Sequence, residues 1–228
     1  MIDFIPSHSI GHVSHGWLAA KHHFSFGSYY NPNRIGFGKI RVINDDCILP
    51  QTGFDMHGHT NMEIITFVRS GAITHTDSQG NKGRTEAGSI QVMSAGSGIR
   101  HSEFNMESVA TTIYQIWIEP KELDIAPRFD AHVFPAEYVT GNLPILVSGE
   151  YDAPLYIHQL ASIYGGKVRQ NERINHPLSQ NAYVLISQGN ICLHTTDASA
   201  GDAFALRLEP CVDFIATEDA EVLIITTP

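Results

Sequence analysis

From Phe37 onward the chain falls into short apolar runs separated by turn residues. Gly38–Asn44, Glu63–Val68, Ala72–Thr76, Ser89–Met93 and Thr112–Ile118 are rich in Ile, Val, Thr and aromatics. Gly, Pro, Asn, Asp and Ser bound them. Residues of that kind fit a pleated, half-buried surface, so each run predicts a strand, and strands at this spacing predict a sandwich or barrel. The stretch Asp77–Gly83 predicts a hairpin loop, because its Gly and Asn residues accept φ > 0. After Pro120 strand character lapses for about twenty residues punctuated by Pro127, Pro135, Gly141 and Pro144. This reads as a linker over 126–142 between an N-terminal unit, 1–125, and a C-terminal unit, 143–228. Within the latter, Leu155–Leu160, Tyr183–Ile186, Asn190–His194, Ala203–Leu208 and Glu221–Thr226 are the predicted strands.

The halves read as diverged copies. EIITFVRSGAITH at 63–75 parallels AYVLISQGNICLH at 182–194, and Ala87-Gly88 parallels Ala200-Gly201. The shared order is strand, glycine turn, strand, glycine turn. Two tandem β-barrels in an all-β chain follow more naturally than one large barrel.

Composition narrows the function classes. A hydrophobic fraction of 43% is enough for a full core. The formal net charge of −10 repels a phosphate backbone, and Lys82, Arg84, Lys167, Arg169 and Arg173 form no basic block. No direct nucleic-acid binding is expected. Three cysteines without paired spacing read as free thiols of a reducing compartment. The first residues resemble no secretory signal and no apolar run reaches membrane-span length, so the expectation is a cytoplasmic protein without membrane partners. Two barrels in one chain would cover each other's exposed faces, which predicts a monomer.

The candidate chemistry lies in two short motifs. In Met56-His57-Gly58-His59, alternation along a strand points both imidazoles to one side. Arg100-His101-Ser102-Glu103 offers an imidazole and a carboxylate with the same spacing. On neighbouring strands facing inward, the pairs would supply three nitrogens and one oxygen. That set suits iron, manganese, cobalt, nickel, copper or zinc, and four protein ligands around an octahedral ion leave positions open. A structural zinc site would be closed and usually rich in thiolates. Histidines cluster cheaply in a chain with thirteen of them, as His22-His23 shows. The weight rests on the second pair. His158, His176 and His194 stand alone in the second half and read as surface or hydrogen-bonded residues.

These motifs carry a resemblance. GFDMHGHTNME (53–63), DSQGNKG (77–83) and MSAGSGIRHSE (93–103) resemble the pirin family, as do HHFSFGSYYNP (22–32) and GFGKIRVINDD (36–46). The resemblance implies two tandem jelly-roll-type cupin barrels, a bicupin. It implies one Fe(II) held in the N-terminal barrel by His57, His59, His101 and Glu103, and a metal-free, degenerate C-terminal barrel. It ranks Glu103 as fourth ligand above Glu63, which other cupins would favour and which could instead orient a histidine.

Bacterial members with this pattern are associated with quercetin 2,3-dioxygenase activity. The implied enzyme is a metal-dependent oxygenase taking a small flavonol-like aromatic and O2, with Glu103 also the catalytic base. Phe24, Phe26, Phe54, Phe67 and Met93 are candidates for an apolar pocket wall or for plain core. Eukaryotic relatives act as iron-dependent partners of transcription factors, so the alternative is a non-enzymatic, redox-switched binding protein. Cupin barrels host Lewis-acid isomerases and hydrolases too. Three departures stand out: Gly58 where the family has Pro, Asp55 where Gly is usual, and Glu86–Gln91 where it tends to read Pro-Gly-Asp-Val-Gln. Asp55 and Gly58 are the places where access or metal preference could differ.

Overall fold

The computed structural model describes every residue except Pro135, one of the residues punctuating the expected linker. The all-β expectation holds. Among the described residues the sole helical element is a 3-10 turn at Ser7–Ser9, and no helix is long and apolar enough to cross a membrane. The chain divides into two compact units, each built from antiparallel sheets.

The unit that carries both histidine motifs comprises Gly11–Phe134 and Leu155–Gln159. One sheet runs Arg128–Val133, Ser89–Ser94, Glu63–Ser70, Thr111–Ile118, Ile40–Ile48, Leu18–His22, Gly11–Ser14. The other runs Thr52–His59, Ile99–Asn105, Ala72–Asp77, Lys82–Glu86. Leu18, Ala20, Ile48, Val68 and Ile113 from the first sheet pack on Ile73 and Phe54 from the second, forming one end of the interior. Alternate positions of the larger sheet face away from it. Asp45 and Arg69, on the same outer face, form a charge pair, with the Arg69 guanidinium 4.3 Å from the centre of the Tyr114 ring.

The second unit comprises Met1–Ile10, Pro135–Pro154 and Leu160–Pro228. Its larger sheet places Ile2–Ile5, Ala203–Leu206, Asn181–Gln188, Ala220–Thr227, Ser162–Val168 and Ile145–Ser148 side by side. Its smaller sheet runs Arg173–Pro177, Cys211–Ala216, Asn190–Leu193, Thr196–Ser199. Here the interior is mostly apolar, with Val184, Ile186, Ile191, Phe204, Phe214, Val222 and Ile224 buried in one cluster. His176, expected at the surface or hydrogen-bonded, is instead buried against Tyr164 with its Nδ1 unpartnered.

Three local outcomes were not expected from the pattern. Arg128–Val133, inside the segment read as a linker, pairs in register with Ser89–Ser94. Ile2–Ile5 pairs with Ala203–Leu206, so the first residues join the second unit. Leu155–Leu160 yields a strand only at Leu155–Tyr156.

The glycines of the internal repeat have a common cause. Gly71 and Gly189 both turn with positive φ, 72° and 69°. A Cβ on either would collide with the strand region opposite, at Thr111 and at Asp219 respectively. Gly80, at the tip of the expected hairpin, also has positive φ but faces open space. Gly71→Ala and Gly80→Ala should therefore differ. The strained backbone costs each about 1–2 kcal/mol, and Gly71→Ala adds the displacement of Thr111. Denaturant unfolding followed by circular dichroism should give Gly71→Ala the larger loss; equal losses would mean that strain alone matters.

Candidate metal centre

Strand pairing brings the two motifs together. Ile99–Asn105 lies antiparallel to Thr52–His59 with Ile99 opposite His59 and His101 opposite His57. The register then shifts, and Glu103 faces Phe54. Three residue steps on one strand match two on the other, so the strand carrying His57 bulges at Asp55-Met56, where both side chains are exposed. The bulge resets alternation. Phe54 shares the interior with Trp17, and its ring centre lies 6.4 Å from that of His57. The carbonyl of Asp55 accepts a 2.7 Å hydrogen bond from Nδ1 of His57.

The rings of His57, His59 and His101 converge, with centroid separations of 4.7, 4.5 and 5.0 Å. One ring nitrogen from each lies within 4.8 Å of those of the others. Nε2 of His59 and of His101 are buried with no hydrogen-bond partner. Burial, with the neighbouring His57, pushes the pKa of His59 down to about 4. Burial first, then His57, His59 and His75, push that of His101 down to about 3. Both rings are therefore neutral at pH 7, each with one nitrogen lone pair able to hold an ion.

Glu103 is on the inward face but does not join this trio; its carboxylate groups instead with His75 and His101. Gln91 Nε2 donates to one oxygen at 2.5 Å and Gln115 Nε2 to the other at 2.6 Å, with the Thr66 hydroxyl donating at 3.2 Å. Burial raises its pKa to about 7 in spite of these donors. Asp46 is a second buried acid: neither oxygen has a partner, and burial, then Asp45 and Glu103, raise it to about 8. Glu63 sits elsewhere. Its carboxylate accepts from the Ser94 hydroxyl at 2.7 Å on one oxygen, and burial raises its pKa.

A cleft of about 280 Å³ reaches His59 alone of the trio and is otherwise lined by Gly58, Thr60, Ser78, Gly98, Ile99 and Arg100. Trp117 stands edge-on to His59 at 4.9 Å, and Phe26 edge-on to Trp117 at 5.3 Å. Of the expected wall residues, Phe26 and Phe54 lie beside the site, while Phe24, Phe67 and Met93 are buried. Nothing in the pattern of residues singles out Trp117, Gln91, Gln115 or His75. Each is an ordinary residue of a predicted strand until the register is known. The departure at position 55 leaves an exposed carboxylate outside the cluster. A Cβ at Gly58 would meet only ordinary contacts, the nearest 3.8 Å away.

Comparison with known proteins fits this geometry. Residues 4–118 match the Pirin family, and residues 145–226 match the quercetinase C-terminal cupin domain. A pirin-like protein of Caulobacter vibrioides is 45% identical over 229 residues, covering 99% of each chain. The quercetin 2,3-dioxygenase of Escherichia coli K12 is 39% identical over 231 residues, covering 100% of this chain and 99% of that one. Among solved structures, YhhW from Escherichia coli superposes with a TM-score of 0.94 at 39% identity, over 100% of this chain and 98% of that one. Its complex with nickel(II) gives 0.93 at 38% identity, over 100% and 99%.

Because Asp55 touches His57 only through its backbone, Asp55→Ala should leave Ni(II) uptake unchanged. Titration calorimetry reads this; a clear drop in affinity would put the carboxylate in the site.

Proposed function

The chain belongs to the pirin family of two-cupin proteins, and from that premise we propose that it is an iron-dependent dioxygenase acting on a flavonol-like aromatic. The observation that carries the reading is the convergence of three imidazoles, two with buried, unpartnered Nε2 atoms. Unpaired buried nitrogens cost stability unless something binds them, and imidazoles suit a borderline divalent ion. The donor set therefore fits the metal. His57, His59 and His101 would hold it, with Glu103, two residues along the strand from His101, as fourth ligand. The nickel(II) complex of the Escherichia coli relative supports a divalent ion at such a site, and the names of the relatives support the substrate class.

A bound ferrous ion would supply Lewis acidity towards a substrate hydroxyl and a redox partner for dioxygen. The chain's own residues do the rest. His57 is oriented by the Asp55 carbonyl, so the bulge fixes which of its nitrogens faces inward. Trp117 and Phe26 form an aromatic wall beside His59, suited to a planar, apolar ring and poor at holding water. Glu103 takes the proton from the substrate's hydroxyl while Gln91 and Gln115 hold its two oxygens in place.

Iron-loaded protein mixed with quercetin without oxygen, then exposed to air, should bleach the flavonol absorbance; unchanged absorbance would end the reading for this substrate. His101→Ala should lose most bound metal by elemental analysis. Glu103→Gln should slow bleaching by about 100-fold or more. A Glu103→Gln enzyme with the parent rate would remove the carboxylate from the chemistry.

A further inference from the structure

His75 is a fully buried imidazole that the proposed chemistry does not use. It lies on Ala72–Asp77, which pairs with the other edge of Ile99–Asn105: His75 is opposite Glu103, and Asp77 opposite His101. Its ring stacks on Phe129 at 4.1 Å with an interplanar angle of 10°. Nε2 is 3.0 Å from Oδ2 of Asp77, and Nδ1 is 3.5 Å from Nδ1 of His101.

These contacts fix where each proton sits. Oδ1 of Asp77 accepts from the backbone N–H groups of Gln79 and Asn81, at 2.9 and 3.0 Å, and from the Asn81 amide at 3.2 Å. The same amide reaches Oδ2 at 2.9 Å. A carboxylate so surrounded by donors only accepts, so Nε2 of His75 must carry a proton. A neutral imidazole has one N–H, which leaves Nδ1 of His75 as an acceptor. Nδ1 of His101 then donates to it, and the lone pair of His101 falls on Nε2, the buried atom without a protein partner.

We infer that Asp77 and His75 form a relay that sets the tautomer of His101 and aims its Nε2 lone pair at the metal. Both are positioning residues that act through His101, and the inference rests on His101 being a ligand as proposed above. Metal-binding histidines commonly pass their second N–H to a carboxylate or carbonyl. Here a second histidine stands between ligand and carboxylate, which carries the orienting charge one ring further from the metal.

The relay can be reversed with one atom. In Asp77→Asn the side-chain oxygen is retained by the three donors on Oδ1, so the amide NH2 faces His75. Nε2 of His75 must then accept, its Nδ1 donate, and Nε2 of His101 take the proton. Two measurements test this. Two-bond 1H–15N spectra of the metal-free wild-type protein should show His75 protonated on Nε2 and His101 on Nδ1. Ni(II) titration should show Asp77→Asn binding about 10–100-fold more weakly than wild type.

Wild-type His101 protonated on Nε2, or a variant with wild-type affinity, overturns the relay. The metal reading fails separately: a wild type that takes up no Ni(II) while showing the assigned tautomers would refute the ligand set and uphold the hydrogen-bond chain. Should the variant not fold, the wild-type tautomers decide by themselves.

Discussion

Everything at this site depends on the pairing of Thr52–His59 with Ile99–Asn105, and on the one-residue bulge within it. Side chains on a strand alternate strictly, so a slip of one residue would turn a whole motif outward. The register sets His57 opposite His101, and the bulge lets Phe54 face inward alongside both histidines despite the odd spacing. It also frees the Asp55 carbonyl to hold His57. A single local irregularity thus supplies ring orientation, pocket shape and the outward exit of an acidic side chain.

The interior around it is unusually polar for a β-sandwich core. Glu103 is held by three donors, Gln91 by Thr85, and Asp77 by a turn's worth of amides. By contrast Asp46, and one nitrogen each of His59 and His101, are buried with no partner. Each such atom costs on the order of 1–3 kcal/mol when left unsatisfied. The other unit has the same sheet layout with Ile, Val and Phe in the interior. The difference between the halves is a difference in what fills the same space: mostly apolar side chains in one, converging imidazoles and carboxylates in the other.

Much of this was legible beforehand. The glycine turns at Gly71 and Gly189 disclosed the duplication because only glycine fits a positive φ pressed against the opposite strand. The pairs His57/His59 and His101/Glu103 disclosed their facing through simple alternation. What stayed hidden depended on partners distant in sequence. His75 reads as one polar residue in a short strand until the register sets it beside Glu103. The bulge at Asp55 breaks the parity on which reading relied, so a carboxylate expected near the metal lies outside. Arg128–Val133 sits among prolines and is half-buried only at Arg128 and Phe129, because an edge strand is held by its ladder to a single neighbour.

The strand Ile2–Ile5 carries a consequence for biosynthesis. It is synthesised about 200 residues before its partner Ala203–Leu206. Until then its unpaired backbone edge and the exposed Phe4 have nothing to pair with in their own unit. The histidine-bearing unit can close around its interior while this segment waits. The order of synthesis therefore lets the three-histidine unit close before the second barrel is sealed by its later strands, Ala203–Leu206 and Ala220–Thr227.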